Sequence, residues 1–203
     1  EQIYPLWLQI ICWGLTGGSV AVMLSASWVG IASAAVCGAL LGILVTRAGA
    51  YLGEGSLDAI AALFATFLVF AINQVFPGLD VFVVITSSLI VLIPGLGLTM
   101  AVTELSTDHL AAGSARLAGA VVSLLKLSLG VLIGTVMVSW LGWSTDMAFS
   151  AHLSSPPDWF RWPALIASAF SFAVLFSARR KDFHVAMLAA IISYLVSRAG
   201  VAA

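Results

Sequence analysis

Leu89-Ile90-Val91-Leu92-Ile93-Pro94-Gly95-Leu96-Gly97-Leu98-Thr99 is the stretch on which the reading of this chain turns. An unbroken apolar run enters it. Pro94 then removes a backbone donor and clashes with the carbonyl one turn back, and Gly95 and Gly97 accept almost any backbone conformation. A helix arriving here is expected to break or kink. In lipid, the backbone groups so freed must be buried in protein or line a polar cavity. Downstream, Thr99, Thr103, Glu104, Thr107, Asp108, His109 and Arg116 are set among Leu, Ala and Gly. A broken helix at membrane depth, followed closely by carboxylates, is how transporters hold ions and polar substrates.

Composition supplies the solvent in which that break must be read. The chain is 62% hydrophobic and 8% charged, with a mean hydropathy of +1.12. A soluble domain leaves roughly a quarter to a third of its unfolded surface exposed and could not hide so much apolar area. The long Gly- and Ala-containing apolar stretches lack strand alternation, so the expected fold is all-α, a polytopic membrane helix bundle. A net charge of −1 argues against nucleic acid as a partner. Cys12 and Cys37 both fall inside expected spans and read as small core residues rather than a disulfide. The chain starts at Glu1 without Met and ends at Ala203 directly after an apolar run, which reads as a piece of a longer protein.

Working outward from the break, the apolar stretches give about seven spans. The first, about 7–27, has Gly14, Gly17, Gly18, Ala21 and Ser25 on one small face, and the second, about 29–46, has Gly30, Ala34, Gly38 and Gly42; both read as close-packing seams. The third, about 57–76, puts Asp58 and Asn73 on one face, with Asp58 suited to the positive end of the helix. After the Pro77-Gly78 turn, the fourth span runs into the Pro94 break and carries Thr86, Ser87 and Ser88, whose hydroxyls can bond back one turn. The fifth helix aligns Arg116, Gly119, Ser123, Lys126, Gly130 and Gly134 on one stripe. Lys126 lies roughly 15 Å beyond Arg116 and is expected near the hydrocarbon centre, facing the bundle with a polar partner. A polar connection, 144–161, precedes two further spans at about 162–177 and 183–197. The domain reading is a five-span unit over 1–143, an extracytoplasmic loop over 144–161, and the start of a second unit over 162–203. With Arg47, Arg116 and the Arg179–Lys181 cluster placed inside, the N-terminus is cytoplasmic in a multi-pass inner (plasma) membrane protein.

Glu104 and Asp108 are four residues apart and would share a helix face. Paired carboxylates in low dielectric raise one another's proton affinity, which suits a proton carrier or an ammonium site. Glu104, nearest the break and with no cation within one helical turn, is the favoured carrier. Arg116 and Lys126 would balance the pair or meet a substrate carboxylate. No nucleophile motif, phosphate loop or zinc signature occurs, so neither catalysis, a metal nor a cofactor is expected.

Leu92-Ile93-Pro94-Gly95-Leu96-Gly97-Leu98-Thr99, with Glu104 after it and Gly113-Ser114-Ala115-Arg116-Leu117 beyond, resembles the signature of the threonine/serine exporter family. Residues 162 to 200, with Leu175-Phe176 before the basic cluster, are similar to the start of that family's second half. The resemblance implies a secondary transporter exporting small hydroxy amino acids and driven by the proton gradient. It also implies spans beyond those present here, which a second copy or a partner chain would supply. Where the family often has an acidic-Gly pair before a Ser-Gly step, this chain has Asp108-His109 and Ala112-Gly113. The candidate substrate and ion residues are Thr86, Ser87, Pro94, Gly95, Gly97, Thr99, Thr103, Glu104, Asp108, Arg116 and Lys126. The partners expected are threonine or serine, protons and the bilayer. Two other readings stand beside this one: an uncoupled channel, and a non-transporting membrane subunit.

Overall fold

A computed structural model describes residues 4–48, 54–143, 156–176 and 183–202. These form eight α-helices: α1 (Leu6–Met23), α2 (Trp28–Ala48), α3 (Glu54–Val75), α4 (Val81–Leu89), α5 (Gly95–Ser106), α6 (Leu110–Trp140), α7 (Arg161–Leu175) and α8 (Phe183–Ala202). Short 3-10 turns at Ile90–Leu92 and Asp158–Phe160 extend α4 and lead into α7. Among the described residues, four helices are long and apolar enough to cross a membrane, or five if the bent run from α4 through α5 counts as one span. The seven expected spans are therefore not reached. The 15-residue α7 rises only about 22 Å against a hydrocarbon core of about 30 Å.

The first two helices make an antiparallel hairpin. α1 ends as a helix should when it has no glycine to spare: Ser25 takes a left-handed φ of 63°, Ser25 N–H donates to Val22 O, and Ala26 N–H donates to Ala21 O, both at 3.0 Å. These two bonds satisfy carbonyls left open by the last turn. Ser27 restarts the chain, its hydroxyl accepting from Gly30 N–H at 3.1 Å, the usual service of a serine at a helix start. The small faces expected from sequence do meet. A Cβ on Gly38 would lie 2.7 Å from the Trp13 carbonyl oxygen, and one on Gly17 would lie 2.5 Å from that of Ala34. Only glycine allows this approach.

Round this hairpin sits the core. Trp13, Ala34, Cys37 and Leu41 from α1 and α2 pack with Ala61, Ala65, Val69 and Phe70 from α3 and with Val81, Val84 and Ile85 from α4. Cys12 and Cys37 are free and buried, as small apolar residues would be. Asn73 closes the α3–α4 turn, its Oδ1 accepting from Leu79 N–H at 3.2 Å. Asp58 is half-buried near the start of α3. α7, assigned from sequence to a second unit, packs against α1, while 144–155 lie outside the described residues.

At 31 residues, α6 is about 46 Å long, more than one span needs, and its two halves have different partners. The C-terminal half runs parallel to α3: Gly130 abuts Ala59 and Ala62, and Gly134 abuts Leu63 and Thr66. The N-terminal half pairs antiparallel with α5, where Gly113 abuts Ala101 and Leu105 and Gly97 approaches Ala120.

Candidate functional site

The expected break is present. Ile93 leaves the helix with φ −67° and ψ 124°, Pro94 follows at φ −76° and ψ 53°, and the axes on either side differ by 58°. Val84 near the head of α4 lies against Gly30 near the head of α2, and Leu92 follows only about 14 Å further along α4 and its 3-10 turn. The interruption thus falls level with about the middle of the 21-residue α2, at depth within the bundle. Its local bonding is incomplete by construction. Gly95 N–H turns back to Ile93 O at 2.7 Å and Leu98 N–H donates to Pro94 O at 3.0 Å. Among the described residues, the carbonyls of Val91 and Leu92 and the N–H groups of Leu96 and Gly97 have no backbone partner outside their own helices. The result is a pair of donors at the positive end of α5 beside two free acceptors.

Alongside the break, α4 and α6 stand apart and enclose a cleft of about 480 Å³. Phe82, Ile85, Leu89 and Ile93 form one wall, Leu124, Leu127, Val131 and Leu132 the other, and Thr86, Ser128 and Thr135 bring hydroxyls to it. Each hydroxyl donates to its own helix: Thr86 to Phe82 O at 2.7 Å, Ser128 to Leu124 O at 2.9 Å, and Thr135 to Val131 O at 2.9 Å. Their lone pairs remain turned to whatever enters. None of the lining side chains is charged.

The sequence candidates divide accordingly. Thr86 lines the cleft, whereas Ser87 is buried and bonded to Val83 O at 2.5 Å. Pro94, Gly95 and Gly97 form the break. Thr99 and Thr103 continue a ladder of back-bonded hydroxyls along the exposed face of α5, Thr99 to Gly95 O and Thr103 to Thr99 O, each at 2.9 Å.

Three expectations need correction. Glu104 and Asp108 do not share a helix face, because α5 stops at Ser106. Asp108 occupies the left-handed position beyond it at φ 61°, with His109 N–H donating to Glu104 O at 2.9 Å and Asp108 N–H to Leu105 O at 3.4 Å. Asp tolerates that conformation better than most residues, so Asp108 serves as a helix stop. Glu104 does not lack a cation: Arg116, twelve residues on, reaches across the α5–α6 turn. Its Nη2 lies 3.0 Å from Glu104 Oε1, and its Nε donates to Oε2 at 3.2 Å. This is the two-pronged geometry that makes arginine–carboxylate pairs strong, here with side chains 46% and 28% exposed. Sequence distance along one helix hid the pair; the tight turn created it. Lys126, finally, lies one turn before Gly130 and hence level with the first turn of α3, not at mid-span. It is half-buried, faces away from the cleft, and makes no hydrogen bond or ion pair with another described residue. Of the glycines on its stripe, Gly130 and Gly134 pack against α3, whereas Gly119 meets nothing within 4 Å.

Ser128 and Thr135 were not singled out from sequence, although their seven-residue spacing put them on one face with Leu124 and Val131. Asp80, at the head of α4, is buried and has an interaction partner.

A family model described as "putative threonine/serine exporter" matches residues 1–138, and the chain belongs to that family. Residues 162–200 lie beyond the match. No curated protein and no solved structure matches the chain.

Proposed function

From membership of the threonine/serine exporter family, we propose that this membrane protein is a secondary transporter. It exports threonine, serine or a similar small polar solute across the inner (plasma) membrane, with its N-terminus in the cytoplasm. The observation that carries the reading is the 58° break beside the 480 Å³ cleft. A zwitterion reaching the break finds N–H donors of Leu96 and Gly97 for its carboxylate and carbonyls of Val91 and Leu92 for its ammonium. The hydroxyls of Thr86 and Ser128 on the cleft walls suit a side-chain hydroxyl. A helix start attracts anions through its dipole and open donors, and half-helices use this in other transporters.

Coupling to protons is part of the same proposal. The Glu104–Arg116 pair is the charged element nearest the break along the chain, and protonating Glu104 would release Arg116 and free α5 to move. Flux of labelled threonine out of proteoliposomes, with and without an imposed pH gradient, is the test. Gradient-driven flux supports the exporter, and flux indifferent to the gradient replaces it with a channel.

A second reading is favoured by the apolar, charge-free lining of the cleft. Such walls also suit burial against a helix of a second copy or a partner chain. Flux that arises only on co-reconstitution would establish that reading.

A further inference from the structure

The end of the bundle where α1 turns into α2 carries a separate cavity with two charged residues in its walls. Its volume is about 330 Å³, and its walls are Asp158, Trp159, Arg161, Trp162 and Tyr194. The wall is held in place from behind. Phe160 packs edge-on against Trp28 with ring centroids 5.1 Å apart and against Trp159 at 5.8 Å. Arg161 donates through Nη2 to the hydroxyl of Ser25 at 3.1 Å, the residue held left-handed at the end of α1. The same nitrogen lies 3.3 Å from Asp158 Oδ1. α7 therefore cannot shift against α1 without breaking this tie.

The chemistry left over is what defines a ligand. Both bonds of Arg161 use Nη2, so its Nε and Nη1 make no hydrogen bond or ion pair with a described residue. Asp158 is 82% exposed, and among the described residues only its Oδ1 is engaged. Three aromatic rings stand around them, and rings of Trp and Tyr attract cations through their faces. Guanidinium donors in a fixed fork match an oxyanion, and a carboxylate oxygen a few ångströms away accepts from an ammonium.

We propose that this cavity binds a small zwitterion in which a primary ammonium lies a few atoms from an oxyanion. The ammonium sits on Asp158 Oδ2 among Trp159, Trp162 and Tyr194, and the oxyanion sits on Arg161. A free amino acid and the ethanolamine headgroup of a phospholipid share this chemistry. The site does not depend on whether the chain transports.

Calorimetric titration of the purified full chain with threonine and with phosphoethanolamine tests it, using ethylamine and acetate as half-ligands. Asp158→Asn is the informative variant, because so exposed a side chain can change without unfolding the chain. Saturable binding of at least one zwitterion is expected, weakened at least tenfold in Asp158→Asn and at least tenfold for each half-ligand. Threonine alone identifies an amino-acid site, and phosphoethanolamine alone identifies a headgroup site. Zwitterion binding that is absent, or unchanged in Asp158→Asn, overturns the proposal. Threonine flux measured on the same preparations separates the two readings: binding without flux removes the exporter, and flux without Asp158-dependent binding removes this site.

Discussion

Two antiparallel hairpins of this molecule are built from similar residues and packed to different degrees. In the α1–α2 hairpin the glycines are pressed against the partner backbone, as at Gly17 and Gly38. Half of the most apolar 18 residues of α1 are buried. In the α5–α6 hairpin, Gly95 and Gly119 face open space, hydroxyls run along an exposed face, and only 22% of the corresponding window of α6 is buried. Small residues are thus in contact along the whole first hairpin, whereas in the second Gly113 meets Ala101 and Leu105 but Gly95 and Gly119 lie on a free surface. The first hairpin is the scaffold. The second continues from it through the Ile93–Pro94 break, is anchored where the C-terminal half of α6 packs on α3, and has its own turn tied by the Glu104–Arg116 ion pair.

The largest effect should come from filling the scaffold seam. Gly38→Ala sets a methyl group 2.7 Å from the Trp13 carbonyl oxygen, and overpacking of this kind costs about 1–3 kcal/mol. Gly38→Leu should prevent the hairpin from closing, giving no monodisperse protein on size exclusion in detergent. A leucine variant that melts like the parent would remove the distinction between the hairpins. Next, Pro94→Ala restores a donor at the break and favours a continuous α4–α5 helix. Threonine flux is expected to fall at least tenfold while the melting profile changes little; unchanged flux would detach the break from transport.

Smaller still is the effect of Glu104→Gln on stability. Its partner Arg116 is 46% exposed, and exposed pairs contribute up to about 1 kcal/mol. A double-mutant cycle with Arg116→Gln should return coupling in that range, and the response of flux to a pH gradient should disappear in Glu104→Gln. Gradient-driven flux that persists in this variant would take Glu104 out of the coupling. The smallest change is Gly119→Ala, where an added Cβ meets nothing within 4 Å. It should leave stability unchanged or raise it by up to about 1 kcal/mol, since alanine is the better helix former. A loss of stability there would show that this face of α6 is packed after all.

Local grammar was legible in the residues. The membrane setting, the helical class, the break at Pro94, the α1–α2 seam and the back-bonded hydroxyls of α4 all follow from composition, proline chemistry and periodicity. The span count was less so. Apolar length alone marks a stretch as buried in something, and the 15-residue α7 shows that such a stretch need not be long enough to cross. The candidate site was legible in part: Thr86 and the Pro-Gly break were named, whereas Ser128 and Thr135 hid in a helix whose glycine stripe drew attention to the opposite face.

What the sequence determined by itself is whatever depends on neighbours within a turn or two: where helices start and stop, which faces are small, and where the backbone must be interrupted. Only the tertiary structure decided which of those faces are occupied and which charges meet. Arg116 reaches Glu104 because a left-handed Asp108 folds α5 back on α6. Arg161 reaches Ser25, 136 residues away, because α7 packs on α1. Periodicity encodes the direction of a side chain about its own helix axis, and nothing in that angle says which other helix will be there.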